Sequence, residues 1–378
     1  MEGRQIDNIA LLRLENQHLV SPRFGNPVDV LRALGAVQSQ DYAGAKWALA
    51  QRTRGLADPD VEDALTSGAI LRTHVLRPTW HFVLPEDARW MLALTAPRVA
   101  AAMGYYMRTH ELDERVFRRS HKAIERALRD GAQLTRAELA AVLRRARVDV
   151  STGQRVVGLL MQAELDGVII SGARRGAQFT YASFDARVPA AAARDRDDAL
   201  QELARRYFAT RGPATLHDFA WWSGLTVTDA KRAVEAAGDF LARETRGDRA
   251  HWYAPSTQVT RATRATRVAL RRSRVAHLLP NYDEFFVGFR DRSAFSERLR
   301  RAAPNHPVNA LMGHILCIDG QIVGGWRRTL GKHVNVELRL LVPLTPPERI
   351  LVQRAGARFG EFLGAPTRLS NAPLTAAV

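Results

Sequence analysis

The sequence predicts an α+β fold in which about three tandem winged helix-turn-helix modules precede a C-terminal β-rich, barrel-like domain. Two patterns predict this fold: amphipathic helices followed by a short hairpin recur up to residue 273, and strand-like segments dominate the remainder. A chain of 378 residues is also too long for one ordinary core. We expect winged modules at 1–115, 116–190 and 191–273, and the β-rich domain at 274–378.

The second module has the clearest helix signals. After its first helix, Thr135 and Glu138 form a capping box for the second, and Ser151 can cap the third. Two strands follow, joined by a glycine-flanked tip that carries Arg174 and Arg175. In winged helices of this order, the third helix can enter a major groove of DNA.

The other two modules repeat this order with weaker signals. In the third module, helices are predicted at 198–210, 216–223 and 230–237, with a wing at 240–253. In the first, helices are predicted at 6–14, 28–34 and 60–67, and strands at 70–74 and 79–83.

Strands and one long helix are predicted after residue 273. Asp319-Gly320 is a two-residue hairpin turn between the predicted strands 314–318 and 321–326. Further strands are predicted at 285–289 and 334–340. A final helix that begins at Thr345 is expected to cover the sheet with Ile350, Leu351, Phe359 and Phe362. The tail after Gly364 is expected to be loose.

The composition is that of a folded and strongly basic chain. Apolar residues make up 46% and charged residues 25%, and 55 basic against 39 acidic side chains give a formal charge of +16 and a pI near 10.9. Only four of the 55 are lysines, which leaves 51 arginines. Arginine can bracket a phosphate with two hydrogen bonds, although codon composition can produce the same bias. The charge favours nucleic acid as a partner.

Cysteine usage and hydropathy indicate the compartment. Cys317 is the only cysteine, which excludes an internal disulfide and a multi-thiolate zinc site. The start of the chain lacks the pattern of a signal peptide, and no long uncharged apolar run occurs. We expect a cytoplasmic protein that associates with the nucleoid and is neither secreted nor membrane-spanning. No nucleotide-binding glycine loop, hydride cofactor motif or serine triad stands out, so no cofactor is expected.

Two glutamines stand two residues apart after the helix that ends near Gly35. In extended chain the side chains of Gln38 and Gln40 share one side, whereas in a helix they point about 200° apart. Gly35 favours the extended form, in which Asp41 faces the other way. The alternative is a polar edge segment with no chemical role.

A second concentration of polar and aromatic side chains lies at 71–82. Arg72 and Arg77 can hold phosphates, Trp80 can stack, and the cluster also contains the hydrogen-bonding residues His74, Thr79 and His81. The alternative is a wing hairpin with Trp80 in the module core and one histidine satisfied by the backbone. Neither a carboxylate nor a thiol stands at ligand spacing from the histidines, so no metal site is expected. Arg174 and Arg175 are further candidates for the DNA backbone, with a solvated surface as their alternative.

These residues resemble the AlkZ and YcaQ family of bacterial DNA glycosylases. The resemblance spans nearly the whole chain and is carried by Val37-Gln38-Ser39-Gln40, Thr73-His74, Arg77 to Phe82, Gly212 to Leu216, Trp221 to Leu225, Leu279 to Glu284 and Gly325 to Arg328. It implies tandem winged helices with a C-terminal β-rich unit. It also implies removal of alkylated purines, notably N7-alkylguanine lesions and interstrand crosslinks, from double-stranded DNA in repair or self-resistance.

The catalytic motif of this family is two glutamines around an aliphatic residue, and it falls on Gln38 and Gln40, with Ser39 between them. A glutamine amide is not basic, so the substrate must already be activated. An N7-alkylated purine carries a positive charge and leaves as a neutral base. The carbonyl oxygens of Gln38 and Gln40 would hold a water beside C1′ and stabilise the oxocarbenium-like sugar. The hairpin from Arg72 to His81 would press into a groove of a largely intact duplex.

Two other functions fit parts of the sequence. A non-enzymatic winged-helix transcriptional regulator would read base edges with its third helices, usually as a symmetric dimer. Tandem copies in one chain favour a monomer instead. A protein-interaction scaffold with a solvated basic surface is the third possibility, and salt-dependent DNA binding would disfavour it.

Overall fold

The computed structural model describes residues 9–255, 274–304 and 313–372. The first residues of the helix expected at 6–14, and the last residues of the chain, lie outside the described residues. Within them, the chain has an α+β fold. No helix among these residues is both long enough and apolar enough to cross a membrane.

The first region contains five helices and a three-stranded sheet among its described residues. The elements are α1 (Ile9–Asn16), α2 (Pro27–Leu34), β1 (Val37–Gln38), α3 (Tyr42–Ala50), α4 (Asp58–Ser67), β2 (Leu71–His74), β3 (Trp80–Val83) and α5 (Pro85–Thr109). The sheet has the order β1-β3-β2, and both pairings are antiparallel. The sequence did not predict α3 or the 25-residue helix α5.

The second region follows the predicted order. It comprises α6 (Glu114–Ala127), β4 (Leu134–Thr135), α7 (Arg136–Arg145), α8 (Gly153–Leu165), β5 (Ile169–Ser171), β6 (Thr180–Ser183) and α9 (Phe184–Arg187). The capping box of Thr135 and Glu138 is present. The side chain that caps α8 belongs to Thr152, so the prediction of Ser151 was wrong by one residue.

Helix α8 occupies the position at which a winged helix enters a DNA groove, but its side chains are mostly buried. It packs against α5 and β2, and only its first residues, Gly153 and Gln154, are exposed. In this structure α8 is therefore an internal support between the first and second regions rather than a free recognition helix.

The third region is a helical bundle with a hairpin. It comprises α10 (Arg196–Arg211), α11 (Leu216–Ser223), α12 (Val227–Ala237), β7 (Ala242–Arg246) and β8 (Arg249–Tyr253). The predicted wing is therefore a hairpin, and Ala214 adds an isolated bridge to Trp252. Thr215 caps α11 and Gly224 ends it in the left-handed conformation.

A similar connectivity occurs in all three regions: helix, strand, helix, helix, strand, strand, with the first strand of the third set reduced to the isolated bridge of Ala214. The first strand of each set pairs with the last, as Val37 does with Phe82, Leu134 with Tyr181, and Ala214 with Trp252. In each set a polar side chain then caps the next helix: Asp41, Thr135 and Thr215. Gln38 and Gln40 lie at this strand-to-helix corner in the first set.

The C-terminal region forms an open sheet. Its elements are β9 (Ala276–Leu279), α13 (Glu284–Val287), α14 (Glu297–Ala302), β10 (Ile315–Ile318), β11 (Gln321–Leu330), β12 (Val334–Leu340), α15 (Pro346–Leu363) and β13 (Thr367–Asn371). The five strands have the order β13-β12-β11-β10-β9, and only β12 and β13 are parallel. The described strands form no closed barrel, so the barrel-like expectation is not met.

Several local predictions in this region have clear outcomes. The turn at Asp319-Gly320 is confirmed, with φ of 49° and 78°. The predicted strand 285–289 is wrong, because the Asp283 side chain caps a short helix there. The described part of the tail after Gly364 is not loose, since β13 pairs with β12; residues 373–378 lie outside the described residues. Ile350 is 51% exposed, because the buried face of α15 runs through Val352, Ala355, Phe359 and Phe362.

The hydrophobic packing does not follow the connectivity. One continuous core joins the first, third and C-terminal regions. Most of the second region packs around a separate core that contains Ile124, Leu139, Leu143 and Leu159. The corner with the two glutamines therefore belongs to the large shared core.

Candidate active site

The backbone around Gln38 is held from three directions. Strand β1 places Gln38 opposite His81, and the backbone amide of Gln38 donates to Glu284 Oε1 at 2.9 Å. The Ser39 amide donates to the Trp80 carbonyl at 2.7 Å. Arg72 donates to the Ser39 carbonyl through Nε at 3.3 Å and Nη2 at 3.2 Å. The segment is therefore fixed by hydrogen bonds although the strand has only two residues.

The side chain of Gln38 is 6% exposed, and its amide oxygen is engaged. Arg77 donates from Nη2 to Gln38 Oε1 at 3.0 Å. The side-chain nitrogen of Gln38, Nε2, has no hydrogen-bond partner in the described part of the chain. This nitrogen is not fully buried. The NH₂ group is therefore the end of this amide that keeps contact with solvent.

Gln40 differs from Gln38 in its exposure. It lies in the bend between β1 and α3, outside the strand, and its side chain is exposed. The next residue, Asp41, caps α3 by accepting from the Gly44 amide at 3.1 Å. Ser39, between the glutamines, is fully buried, and its hydroxyl oxygen has no partner among the described residues. The motif thus has one largely buried side-chain amide, that of Gln38, and one exposed side-chain amide, that of Gln40.

Arg72 lies behind the motif in a buried stack. Its guanidinium is 4.3 Å from the Trp80 ring and 4.6 Å from the Phe179 ring. Burial lowers the pKa of Arg72 to about 10, and the charge of Glu164 opposes this shift. The position between two rings leaves Arg72 as a support for the Ser39 carbonyl.

Glu164, from α8, holds the other end of the hairpin. One of its oxygens accepts from the His74 amide at 3.1 Å and forms a short hydrogen bond with the His74 ring at Nδ1. The other accepts from the Trp80 indole at 3.4 Å. The His74 and Trp80 rings also pack with centroids 4.4 Å apart. The buried helix α8 therefore fixes β2 and β3, of which β3 pairs with Gln38.

His81 is buried and neutral. Burial lowers its pKa well below the usual value, and the charge of Arg77 lowers it further. Its Nδ1 lies 2.9 Å from the Thr79 carbonyl and must carry the proton, because a carbonyl only accepts. Nε2 is then an acceptor, and both it and the Thr79 hydroxyl are buried without a partner among the described residues.

The sequence predicts that these hairpin residues contact DNA. Arg72, His74 and His81 are buried, while Arg77, Thr79 and Trp80 are partly buried, and their hydrogen bonds are to protein groups. One part of the alternative agrees with this arrangement, since His81 bonds to the backbone at Thr79, whereas Trp80 is only partly buried. The cluster surrounds the Gln38–Ser39 segment from behind.

The two arginines of the second hairpin tip have different environments. Arg174 is paired with Glu62 at 3.1 Å and lies over the Tyr42 and Phe179 rings. Arg175 is exposed and bonds to Glu138 at 2.7 Å. Arg174 therefore joins the second region to α4 and to the start of α3, next to the glutamines.

Sequence reasoning missed the role of Glu284. It is fully buried and accepts from the Gln38 amide, from Arg211 Nη2 at 2.6 Å and from the Trp222 indole at 2.8 Å. Burial would raise its pKa, but Arg211 and Arg77 hold the pKa below its usual value. The sequence block Leu279 to Glu284 was noticed, but only the fold reveals that Glu284 reaches Gln38.

The described residues offer no cluster of three or more metal-ligating side chains. A cleft of about 790 Å³ in the third region is lined by Thr215, Lys231, Trp252 and Arg290, among others, and neither glutamine lines it. We place the candidate site at the glutamines and not at this cleft, because the buried supports converge on Gln38.

Comparisons with known proteins identify the family of the chain. The family model described as "DNA glycosylase AlkZ-like" matches residues 31–362. An interstrand DNA cross-link repair glycosylase from Streptomyces sahachiroi is 24% identical over 366 residues, which cover 90% of this chain and 91% of the relative. The solved structure of the DNA glycosylase AlkZ from Streptomyces sahachiroi has a TM-score of 0.73 at 20% identity, covering 96% of this chain and 98% of that one.

Proposed function

Because the chain belongs to the AlkZ-like family of DNA glycosylases, we propose that it hydrolyses the N-glycosidic bond of alkylated purines in double-stranded DNA. The proposed substrates are N7-alkylguanine lesions, and they include interstrand crosslinks because the similar Streptomyces protein is an interstrand DNA cross-link repair glycosylase. The observation that carries the proposal is the Gln38–Ser39–Gln40 segment, which lies inside the family match and whose buried backbone is held by hydrogen bonds next to the exposed Gln40.

The proposed reaction needs no basic side chain. Water attacks C1′, the C1′–N9 bond breaks with its electron pair moving to the base, and the positively charged purine leaves neutral. The attacking water keeps one hydrogen in the new hydroxyl group on C1′, and its other hydrogen passes to solvent as a proton. Gln38 and Gln40 are the proposed catalytic residues, which orient the water and stabilise the cationic sugar. The reaction requires neither a cofactor nor a metal.

The surrounding residues have proposed roles in binding and support. We place Arg72, His74, Arg77, Thr79, Trp80 and His81 in a hairpin that backs the glutamines and approaches the duplex near the lesion. Arg174 and Arg175 lie on the second hairpin tip. The exposed ion pair of Arg175 with Glu138 can be replaced by an ion pair of Arg175 with a DNA phosphate. The protein acts as a cytoplasmic monomer associated with the nucleoid, with three winged-helix modules at 1–115, 116–190 and 191–273 and a sheet domain at 274–378.

A base-release assay tests the activity. Purified protein is incubated with a duplex that contains one N7-methylguanine, and free base and abasic DNA are measured under single-turnover conditions. Gln40→Ala is expected to lower the rate by about 10²-fold to 10³-fold, the usual effect of losing an aligned polar contact. Full activity in Gln40→Ala would refute the assignment of that residue. Absence of base release from the unsubstituted protein would refute the function.

The alternative of a transcriptional regulator is less compatible with the structure. Helix α4, at the recognition position of the first set, carries Asp58, Asp60, Glu62 and Asp63 and no basic residue. A phosphate-lined groove would repel such a helix. Helix α8, at the same position in the second set, is buried. In the base-release assay a regulator would bind the duplex and leave every base in place.

A further inference from the structure

We propose that Arg77 is a positioning residue that turns the Gln38 amide so that its NH₂ group faces the substrate. Gln38 then acts as a hydrogen-bond donor to the attacking water, and Gln40 acts as the acceptor. This inference rests on the proposed catalytic role of Gln38. It replaces the expectation that both glutamines offer their carbonyl oxygens, and it leaves stabilisation of the cationic sugar to Gln40.

The orientation of the Gln38 amide follows from the chemistry of its partner. Arg77 Nη2 lies 3.0 Å from the side-chain oxygen of Gln38. A guanidinium only donates hydrogen bonds, so the end of the amide that faces it must be the oxygen. The NH₂ group points the other way, and it is the end without a partner among the described residues.

Arg77 is itself held in place. Its other terminal nitrogen, Nη1, donates to the Val287 carbonyl at 3.4 Å, so the guanidinium spans from α13 to Gln38. Burial lowers the pKa of Arg77, while the nearby charge of Glu284 raises it. Glu284 thus supports the motif at two points, by accepting the Gln38 backbone amide and by offsetting the charge of Arg77.

Opposite roles for the two amides would hold the water through its oxygen and through one hydrogen. A water oxygen that accepts from Gln38 Nε2 and donates one hydrogen to Gln40 Oε1 keeps a second lone pair for C1′. With two acceptors, the water would donate both hydrogens and neither of its lone pairs would be held by the protein. The bond changes and the release of the proton to solvent are those of the proposed reaction.

A double-mutant cycle tests whether Arg77 acts through Gln38. Single-turnover rates are measured for the unsubstituted protein, Gln38→Ala, Arg77→Met and the double variant. We expect Arg77→Met to lower the rate by about 10-fold to 100-fold, because misorientation of a catalytic group has effects of this size. The double variant should be no slower than Gln38→Ala alone. Multiplicative losses in the double variant would overturn the positioning role.

Gln38→Glu distinguishes donor from acceptor. A carboxylate can still accept from Arg77, but its second oxygen would face the substrate as an acceptor with negative charge. If Gln38 works as an acceptor, this variant should equal or exceed the original rate. We expect instead a loss of at least about 10-fold, because the donor is gone. Arg77→Lys, which keeps a charged donor, should recover part of the rate lost in Arg77→Met.

Arg358→Met is the matched control. Arg358 is also a partly buried arginine that donates to backbone carbonyls, those of Ala50, Gln51 and Thr53, and it does not contact Gln38. Both variants should lower the melting temperature, but only Arg77→Met should lower the rate of base release. An equal loss of rate in both variants would mean that Arg77 is merely structural. Full activity in Gln38→Ala would instead refute the proposed role of Gln38 itself.

Discussion

Glu284 receives hydrogen bonds from three distant parts of the chain: the amide of Gln38, the guanidinium of Arg211 and the indole of Trp222. Its two oxygens accept all three hydrogen bonds. A protonated carboxyl would turn its own O–H donor toward one of these donors, so the arrangement fits the ionised form. At the scale of single residues, the site therefore depends on a buried anion that does not touch the substrate. Its contribution is to fix the backbone from which Gln38 projects.

Ser39 gives a prediction at the same scale. Its hydroxyl is buried without a partner among the described residues, and an unsatisfied buried polar group costs about 1–3 kcal/mol. Ser39→Ala should therefore stabilise the protein by about 1 kcal/mol in urea unfolding, with the rate of base release unchanged. The backbone contacts of residue 39 to Trp80 and Arg72 do not involve the hydroxyl. Lower stability in this variant would mean that the hydroxyl has a partner in solution.

At the scale of elements, the start of α15 depends on ionisation of Glu348. This carboxylate accepts from the Thr345 amide at 2.8 Å and pairs with Arg298 at 2.6 Å. The hydrogen bond from Arg298 is the main cause that lowers the pKa of Glu348 to about 2. Because the folded pKa lies below the unfolded one, the stabilisation is complete above the unfolded value and is lost as the pH falls toward 2.

Glu348→Gln measures this contribution. We expect a loss of about 1 kcal/mol at pH 7, the usual effect of an impaired cap. Urea unfolding at several pH values should show the two proteins converging as the pH falls from about 4.5 to 2. A difference that stays constant over this range would show that the charge of Glu348 is not the cause.

The second hairpin tip gives a prediction about DNA binding. Arg175 is exposed, whereas Arg174 is engaged by Glu62 and two aromatic rings. We expect Arg175→Ala to reduce the slope of log affinity against log salt by about 1, as for loss of one phosphate contact. Arg174→Ala should leave this slope unchanged. Equal slopes for Arg175→Ala and the unsubstituted protein would remove Arg175 from the interface.

The elements also show what the sequence could and could not predict. Local signals such as the Thr135 capping box and the Asp319-Gly320 turn were confirmed, because a few neighbouring residues determine them. Strand 285–289 was wrong, because its aromatic run suggested a strand, while Asp283 caps a helix there. Burial of α8 was not foreseeable, since it depends on α5, which was itself not predicted.

The candidate site divides in the same way. The glutamines were singled out by their spacing and by the family motif, and the hairpin residues by the concentration of polar and aromatic types. The direction of the hairpin side chains could not be predicted, because the neighbouring sequence allows Arg72 and Arg77 to face either solvent or the protein. Their partners, Ser39 and Gln38, lie more than 30 residues away in the chain.

At the scale of the whole molecule, most of the second region has a core of its own, while the other three regions share one. Leu139 is fully buried in the separate core. Leu139→Ala should destabilise that core by about 2–5 kcal/mol, the usual effect of such a cavity. Limited trypsin digestion should then cut within residues 114–187 earlier than in the unsubstituted protein. Faster cleavage spread evenly along the chain would argue for one cooperative unit.

The backbone bonds around the glutamine motif have a dynamic consequence. The amides of Gln38 and Ser39 are both engaged, by Glu284 and by the Trp80 carbonyl, inside the shared core. Their hydrogens should exchange with deuterium only when large parts of the molecule open, although Gln40 lies in solvent one residue further on. A segment that meets damaged DNA would thus be among the least mobile in the protein, so recognition would require the duplex to adapt to the enzyme.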